Sequence, residues 1–585
     1  MENCWNLDKI YKGLDDPEYS KDVARLEKTA AGYVGFMEKL EGVPTWEDIE
    51  SILNSQEEVT KIIEKLMRYV GLSYTVDTEN GRLLAEENKL ERMAASFAGA
   101  DAKASKIIAK IPNLDEYCEK SEIIADYKAY LKRTIDESKY LLSDREEELY
   151  SKMNMVGGGA WGTLQSFLTS TLKVDYKDKE LTLSEVRNLA YDSDPEVRKE
   201  AFDAEIKSYD KVADSIAYAL NNIKLQVNMI SRQRGYESGL DEALHASRMS
   251  RATLDAMMSA ISKHLPNIRK YFLKKAELLG YEGGLKWYDL FAPVGSMDKK
   301  YTIPETRELL INTFKSFTPE MSDLMKEAFD NEWIDFYPRK GKEGGAFDES
   351  LGFIDESRIL TNFDGTFGAV DTLSHELGHA FHDRQVFKNR PMNTYYPMPV
   401  AETASTFNET HLNNFFLQKA DSEEEKLSLL DGLLREQTQC IVDIYSRYLF
   451  ETSVFEQCEE SFLMKDDLNR LMLEAQKKAY GEGLDESTLH PYMWACKSHY
   501  YSTGLSFYNF PYAFGTLFAA GLYDMFMREG SETFVPKYKA MLAATPTVSI
   551  EEAGALMGVD LTKEEFWNNS LSMIEKDIEK FVKIA

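Results

Sequence analysis

His375-Glu376-Leu377-Gly378-His379 sets two imidazoles four residues apart with a carboxylate directly after the first. On a helix, residues i and i+4 lie one turn apart on the same face, so both rings reach one zinc ion. Glu376 then stands beside that ion, where it can take a proton from an attacking water. That is hydrolytic chemistry. With 8 histidines in 585 residues, roughly one chain in a hundred of this composition carries such a pattern by chance, so a third ligand is needed.

The metzincin continuation requires Gly at 382 and His at 385; the chain has His382 and Gln385, which excludes that class. A glutamate is the other usual completion. Between His379 and residue 425 the glutamates are Glu402, Glu409, Glu423, Glu424 and Glu425. Glu402 lies in a breaker-free run after Pro397 and Pro399, which predicts a second helix. Glu402 and Glu409 are seven residues apart and share a helix face, with Ser405 beside them. One carboxylate can bind the metal while the other orients a ligand histidine through its second ring nitrogen. Gly378, in mid-helix, costs about 1 kcal/mol relative to alanine, which reads as room for a closely packed second helix.

The elements that must position these residues are helical for most of the chain. Asn80–Ile111 has Leu83, Leu84, Leu90, Met93, Ala94 and Phe97 at three- and four-residue steps, and Asp194–Arg234 predicts a second long helix, capped at Ser193 with Pro195 in its first turn. Breakers near Pro112 and before Asp194 divide the chain into a helical region 1–111, a smaller module 112–190 and a large unit 191–585. Between Trp333 and Asn362, β-branched and aromatic residues alternate with glycine turns, which predicts a small sheet directly before the His-Glu-x-x-His segment.

Composition excludes several partners. Lys plus Arg number 69 against 99 Asp plus Glu, a formal net charge of −30, which argues against nucleic acid and anionic membrane surfaces. The most apolar run, Phe510 to Tyr523, is too short to span a bilayer and reads as a buried helix. Cys4, Cys118, Cys440, Cys458 and Cys496 form no CxxC pair, and Met1 to Tyr19 shows no export signal, so a cytoplasmic protein with reduced thiols is expected. Oligomeric state has no signature in the sequence.

HELGHAFH, followed after 19 intervening residues by ETASTFNE, resembles the HExGHxxH and ExxSxxxE signatures of the oligoendopeptidase F branch of the thimet-oligopeptidase-like zinc metallopeptidases. The resemblance extends to Arg339–Phe347, to Ile359–Phe363, and to Trp5–Tyr11 at the amino terminus. It implies zinc held by His375, His379 and Glu402, with Glu376 as general base. Glu409 and His382 would support the ligands from behind. Gly344, Gly345 and Ala346 would form an exposed strand edge that pairs with the substrate backbone. His499 and Tyr508 would meet the substrate and the developing oxyanion, and Tyr512 matches a further tyrosine, although Pro511 breaks the helix face that Tyr508 and Tyr512 would share.

The expected protein is thus mostly α: helical lobes enclose a deep substrate channel, and a zincin-type helix pair sits beside a small β-sheet. The expected activity is endopeptidase cleavage of short unstructured oligopeptides with one Zn2+. The competing readings are a peptide-binding protein with an inert zinc site, an exopeptidase, and a hydrolase of non-peptide amides.

Overall fold

The computed structural model describes residues 3–296 and 299–585. Helices dominate, organised around two hydrophobic cores. The first gathers the amino-terminal helices, from Trp5 to Leu131, and takes in Leu351 and Leu360 of the small sheet; the second runs from Leu172 to Phe581. Packing therefore divides the chain differently from its breakers. Asn113 caps a new helix, Leu114–Lys120, that folds back onto the same core as Asn80–Ile111, while Leu172 to Val186 join the larger body.

Local sequence explains the helix ends. Trp46–Thr75 starts at a capping box between Thr45 and Asp48 and buries Ile49, Ile52, Leu53, Val59, Ile62 and Leu66 on one stripe. The helix expected at Asn80–Ile111 is Gly81–Ile108, with the Asn80 side chain accepting from the amides of Arg82 and Leu83. Leu83, Leu90 and Phe97 are buried as expected; Leu84 points to solvent. The single helix expected over Asp194–Arg234 is two, Pro195–Tyr209 and Ala213–Arg234, and Asp194 rather than Ser193 is the cap. Between them the chain turns, and there the Lys211 ammonium donates to the Lys173 carbonyl at 2.9 Å, tying the turn to a β-hairpin. That hairpin pairs β1 (Lys173–Tyr176) with β2 (Lys179–Thr182).

The second sheet has the strand order β3 (Ile334–Asp335), β5 (Glu356–Leu360), β4 (Phe347–Leu351), so β4 is an edge. Its side chains alternate, as strand geometry demands. Asp348 turns toward the helix that carries His375, while Glu349 reaches Arg68 on Trp46–Thr75. One sheet thus joins the amino-terminal lobe to the site. Arg390 adds a second tie, bonding Asp126 at 2.7 Å and Glu57 at 3.2 Å.

A buried polar knot fixes the segment leading to His499. Glu205 accepts from Tyr209 at 2.9 Å, meets His490 at 3.2 Å and pairs with Arg187, which also donates to the Cys496 sulfur at 3.2 Å. Burial alone would raise the Glu205 carboxyl; His490 and Arg187 override it and hold it down at about 2. Because the folded value lies below the unfolded one, this stability is full above the ordinary carboxyl range and is lost as pH falls toward 2. Glu205→Gln is therefore expected to lower the urea midpoint most at neutral pH, with the gap from wild type closing as pH drops from about 4.5 to 2.

Candidate active site

The motif helix is Phe367–Val386, begun where the Thr366 hydroxyl accepts from the Ala369 amide. Val370, Leu373, Leu377, Ala380 and Phe381 anchor it in the larger core. With that side fixed, His375 and His379 face open space, and their Nε2 atoms lie 3.1 Å apart. Glu402 Oε2 closes a triangle, 3.2 Å from His375 Nε2 and 3.4 Å from His379 Nε2.

These separations fit zinc. Tetrahedral ligands at about 2.0–2.1 Å from an ion stand about 3.3–3.4 Å from one another. The charges fit as well. Burial opposes a proton on His375, yet Glu402 and Glu409 raise its pKa well above the imidazole range, so the pocket draws positive charge. Burial would likewise raise Glu402, but the two histidines hold it far below the carboxylate range as a ready anion. Two imidazoles and a carboxylate form the donor set of a catalytic zinc site.

Glu402 arrives by an unexpected route. The second helix is broken there: a short turn, Met398–Ala401, ends at Glu402, and Thr403–Lys419 begins after it. The ligand thus lies at a helix start, where the dipole favours a carboxylate. Ser405 donates to Glu402 Oε2 at 2.8 Å. Gly378 makes the approach possible, because a Cβ there would fall 2.6 Å from the Ala404 carbonyl oxygen and 2.6 Å from Ser405 Cα.

Glu409 Oε1 lies 2.7 Å from His375 Nδ1, which leaves Nε2 on the side of Glu402 and His379, where an ion would be held. Glu409→Gln is expected to weaken zinc binding roughly 10- to 100-fold while leaving the fold intact, read by competition with a chromogenic chelator.

A model of peptidase family M3 matches residues 188–573. The chain belongs to peptidase family M3. A further model, described as oligopeptidase F, matches residues 112–173. An oligoendopeptidase F homolog of Lactococcus lactis subsp. lactis (strain IL1403) is 26% identical over 608 residues, covering 99% of this chain and 98% of that protein. Oligopeptidase PepF of Bacillus subtilis (strain 168) is 24% identical over 593 residues, covering 99% of this chain and 87% of that protein. Among solved structures, oligoendopeptidase-F from Enterococcus faecium superposes with a TM-score of 0.70 at 18% identity, over 97% of this chain and 98% of that one. The fold is therefore that of the oligoendopeptidase F group, and this M3 chain is a metallopeptidase.

In this M3 peptidase Glu376 is buried, and its donor atom lies within 4.8 Å of those of His375 and His379. Burial raises its pKa, a shift that suits a proton carrier. Two further carboxyls sit nearby. Asp348 on the edge strand and Asp383 on the motif helix are both raised first by burial, and each feels the other. The Tyr396 hydroxyl donates to Asp383 at 2.9 Å. Asp371, four residues before His375, is held by Asn413, which also donates to the Glu409 carbonyl. Asp371 and Asp383 lie one turn outside His375 and His379 on the same face, a spacing that could have found them.

His382 needs correction. It bonds neither ligand; its Nε2 meets the Thr545 hydroxyl at 2.8 Å and its ring stacks on Tyr396. It stays near the ligand face, three residues past His379 and seven past His375, but further along the helix, where Thr545 and Tyr396 enclose it and it braces the motif helix.

His499, Tyr508 and Tyr512 come together. The Tyr512 hydroxyl donates to the Tyr508 hydroxyl at 3.1 Å, and the His499 ring lies 6.1 Å from that of Tyr508. Pro511 occupies the first turn of Phe510–Glu529, so Tyr508 precedes that helix, and the two tyrosines meet without sharing its face. The helix packs against Glu402: a Cβ on Gly515 would lie 3.1 Å from Glu402 Cβ. His499 is driven down to about 3 by burial and by Arg447, Lys224 and Lys497, so the ring is neutral, and its Nε2 is buried without a partner. Glu451 holds the segment, accepting from the Phe507 amide at 3.1 Å and from Asn509 at 2.8 Å, and is itself paired with buried Lys224 at 2.7 Å. Nothing in the sequence spacing points to Lys224 or Glu451.

Gly344, Gly345 and Ala346 lie just before the edge strand rather than in it. Gly345 has φ +83°, and the Asn362 amide donates to the carbonyls of Glu343 and Gly345, forming a bend from which β4 starts at Phe347.

Proposed function

We propose that this M3 peptidase is a zinc-dependent endopeptidase that hydrolyses internal bonds of short, unstructured oligopeptides in the cytoplasm. The observation that carries the reading is the triangle of His375, His379 and Glu402 with buried Glu376 beside it. Held by those three side chains, zinc supplies Lewis acidity toward a peptide carbonyl and makes nearby water more acidic. Glu376 takes the proton of the attacking water and delivers it to the departing nitrogen. Tyr508 and neutral His499 stand as donors for the oxygen that gains charge, with Tyr512 positioning Tyr508 through its hydroxyl. The bend at Gly344–Ala346 and the open edge of β4 offer backbone groups to an extended peptide.

On this reading the substrates are short peptides that enter between the helical lobes, where folded proteins do not reach. The names of the Lactococcus lactis and Bacillus subtilis relatives, an oligoendopeptidase and an oligopeptidase, agree with that substrate class. The five cysteines are unpaired, as expected in a reducing compartment.

Mass-spectrometric profiling of a peptide library with both ends blocked tests the reading. Internal cuts in short peptides, with folded proteins untouched, are expected. Release of terminal residues alone, or intact blocked peptides, would replace it with an exopeptidase; bound zinc without turnover would make the chain a peptide binder.

A further inference from the structure

In a chain with 99 acidic and 69 basic residues, an arginine without a carboxylate partner is conspicuous, and two lie side by side. Arg133 and Arg248 both donate to one carbonyl, that of Pro546, at 3.3 and 2.6 Å, and Arg248 also donates to the Tyr395 carbonyl at 3.2 Å. Among the described residues neither guanidinium is ion-paired; the groups on each are uncharged carbonyls. Arg248 sits at φ +51°, a left-handed conformation that a non-glycine residue adopts at a cost, and the Ile550 amide pins its carbonyl at 3.0 Å. Each guanidinium has five N–H groups, so most of the donors remain free.

Both arginines line a groove of about 670 Å³. Four of its lining side chains are lysine or arginine and two are acidic, the reverse of the chain's overall balance. Of the acids, Asp136 is already engaged by Lys139 and His245, and Glu137 is exposed. The groove shares Ala246 and Tyr395 with a second cavity of about 270 Å³ that reaches Met398 and Tyr508. Its wall also abuts the motif helix: Thr545, next to Pro546, bonds His382, and Tyr396, next to Tyr395, bonds Asp383. Burial and then the charge of Arg133 bring the Arg248 pKa down to about 10, against smaller opposing pulls from Tyr395 and Glu137.

We propose that Arg133 and Arg248 form a carboxylate-binding subsite for the peptide, set at the end of the channel beyond Tyr508. Paired guanidinium forks match a carboxylate in geometry and charge. A peptide anchored there lies in fixed register with the zinc ligands, so the subsite selects where along the peptide the cut falls. The inference rests on the peptidase reading for its substrate but is read by binding.

The test uses one labelled peptide as the free acid, as the carboxy-terminal amide, and as the amide with an aspartate near that end. Fluorescence anisotropy gives Kd for full-length wild type, Arg133→Gln and Arg248→Lys, with thermal midpoints confirming that each is folded. In wild type the amide should bind roughly tenfold or more weakly than the acid, and in Arg133→Gln the two should bind alike. Arg133 makes a single long bond, so this variant does not depend on the tighter structural role of Arg248. Arg248→Lys should keep part of the acid preference. Recovery of binding by the aspartate-bearing amide assigns the subsite to a side-chain carboxylate; no recovery assigns it to the chain terminus. Equal binding of acid and amide by wild type, no binding of either, or an acid preference unchanged in Arg133→Gln overturns the proposal. If the acid preference holds while no peptide is cleaved, the subsite stands and the endopeptidase reading fails.

Discussion

Glu376→Gln should cut kcat on a good peptide substrate by roughly 10²- to 10⁴-fold while leaving one zinc bound and KM within a few-fold of wild type. Glutamine keeps the volume and a carbonyl oxygen but cannot accept and return a proton. Glu376 is not one of the three atoms that converge on the ion position, so zinc content should not change. Burial of Glu376 also makes the amide form easy to accommodate, since no buried charge is left unpaired. Steady-state kinetics beside elemental zinc analysis reads both halves. A loss of activity that tracked loss of zinc would move Glu376 from proton carrier to structural support.

Gly378→Ala should be nearly as damaging, though it adds one methyl. Alanine is the better helix former by about 1 kcal/mol, so on propensity alone the variant would gain stability. The new Cβ would instead stand 2.6 Å from the Ala404 oxygen, 2.6 Å from Ser405 Cα and 2.8 Å from Ser405 N. All three are backbone atoms and none can rotate away, so the two helices must part. Overpacking of this kind costs about 1–3 kcal/mol, and it moves Glu402, one residue before Thr403, out of its triangle with His375 and His379. A lowered thermal midpoint together with zinc lost to a mild chelator is expected. Gly432, in Glu423–Thr438, has nothing within 4 Å of its Cβ position, so Gly432→Ala is the control and should be neutral or slightly stabilising.

The candidate metal-binding pair was legible because helix periodicity alone carries His375 and His379 onto one face, with Glu376 adjoining. Glu402 and Glu409 were legible by register, but the break at Glu402 was not. Thr403–Lys419 buries Ala404 and Phe407 along with Ser405, Asn408, Thr410, His411 and Asn413, so no polar face marks where it starts. Long-range partners left no trace in the spacing: Lys224 and Glu451 support Tyr508 from helices more than fifty residues away. The helix expected over Asp194–Arg234 divides at Asp210–Val212, a break the continuous apolar spacing did not mark. Charge was the least informative feature. Of the acids around the edge strand, Glu349 pairs with Arg68 and Glu356 with Lys9 and Arg358, Asp355 is exposed, and Asp348 alone turns toward Glu376.

The most direct measurement is a zinc titration of metal-stripped protein, following cleavage of an end-blocked quenched peptide. Activity should rise from baseline to a plateau at one zinc per chain, and Glu402→Ala should stay at baseline over the same range. Full turnover by protein shown by elemental analysis to be free of metal would contradict the account at its centre.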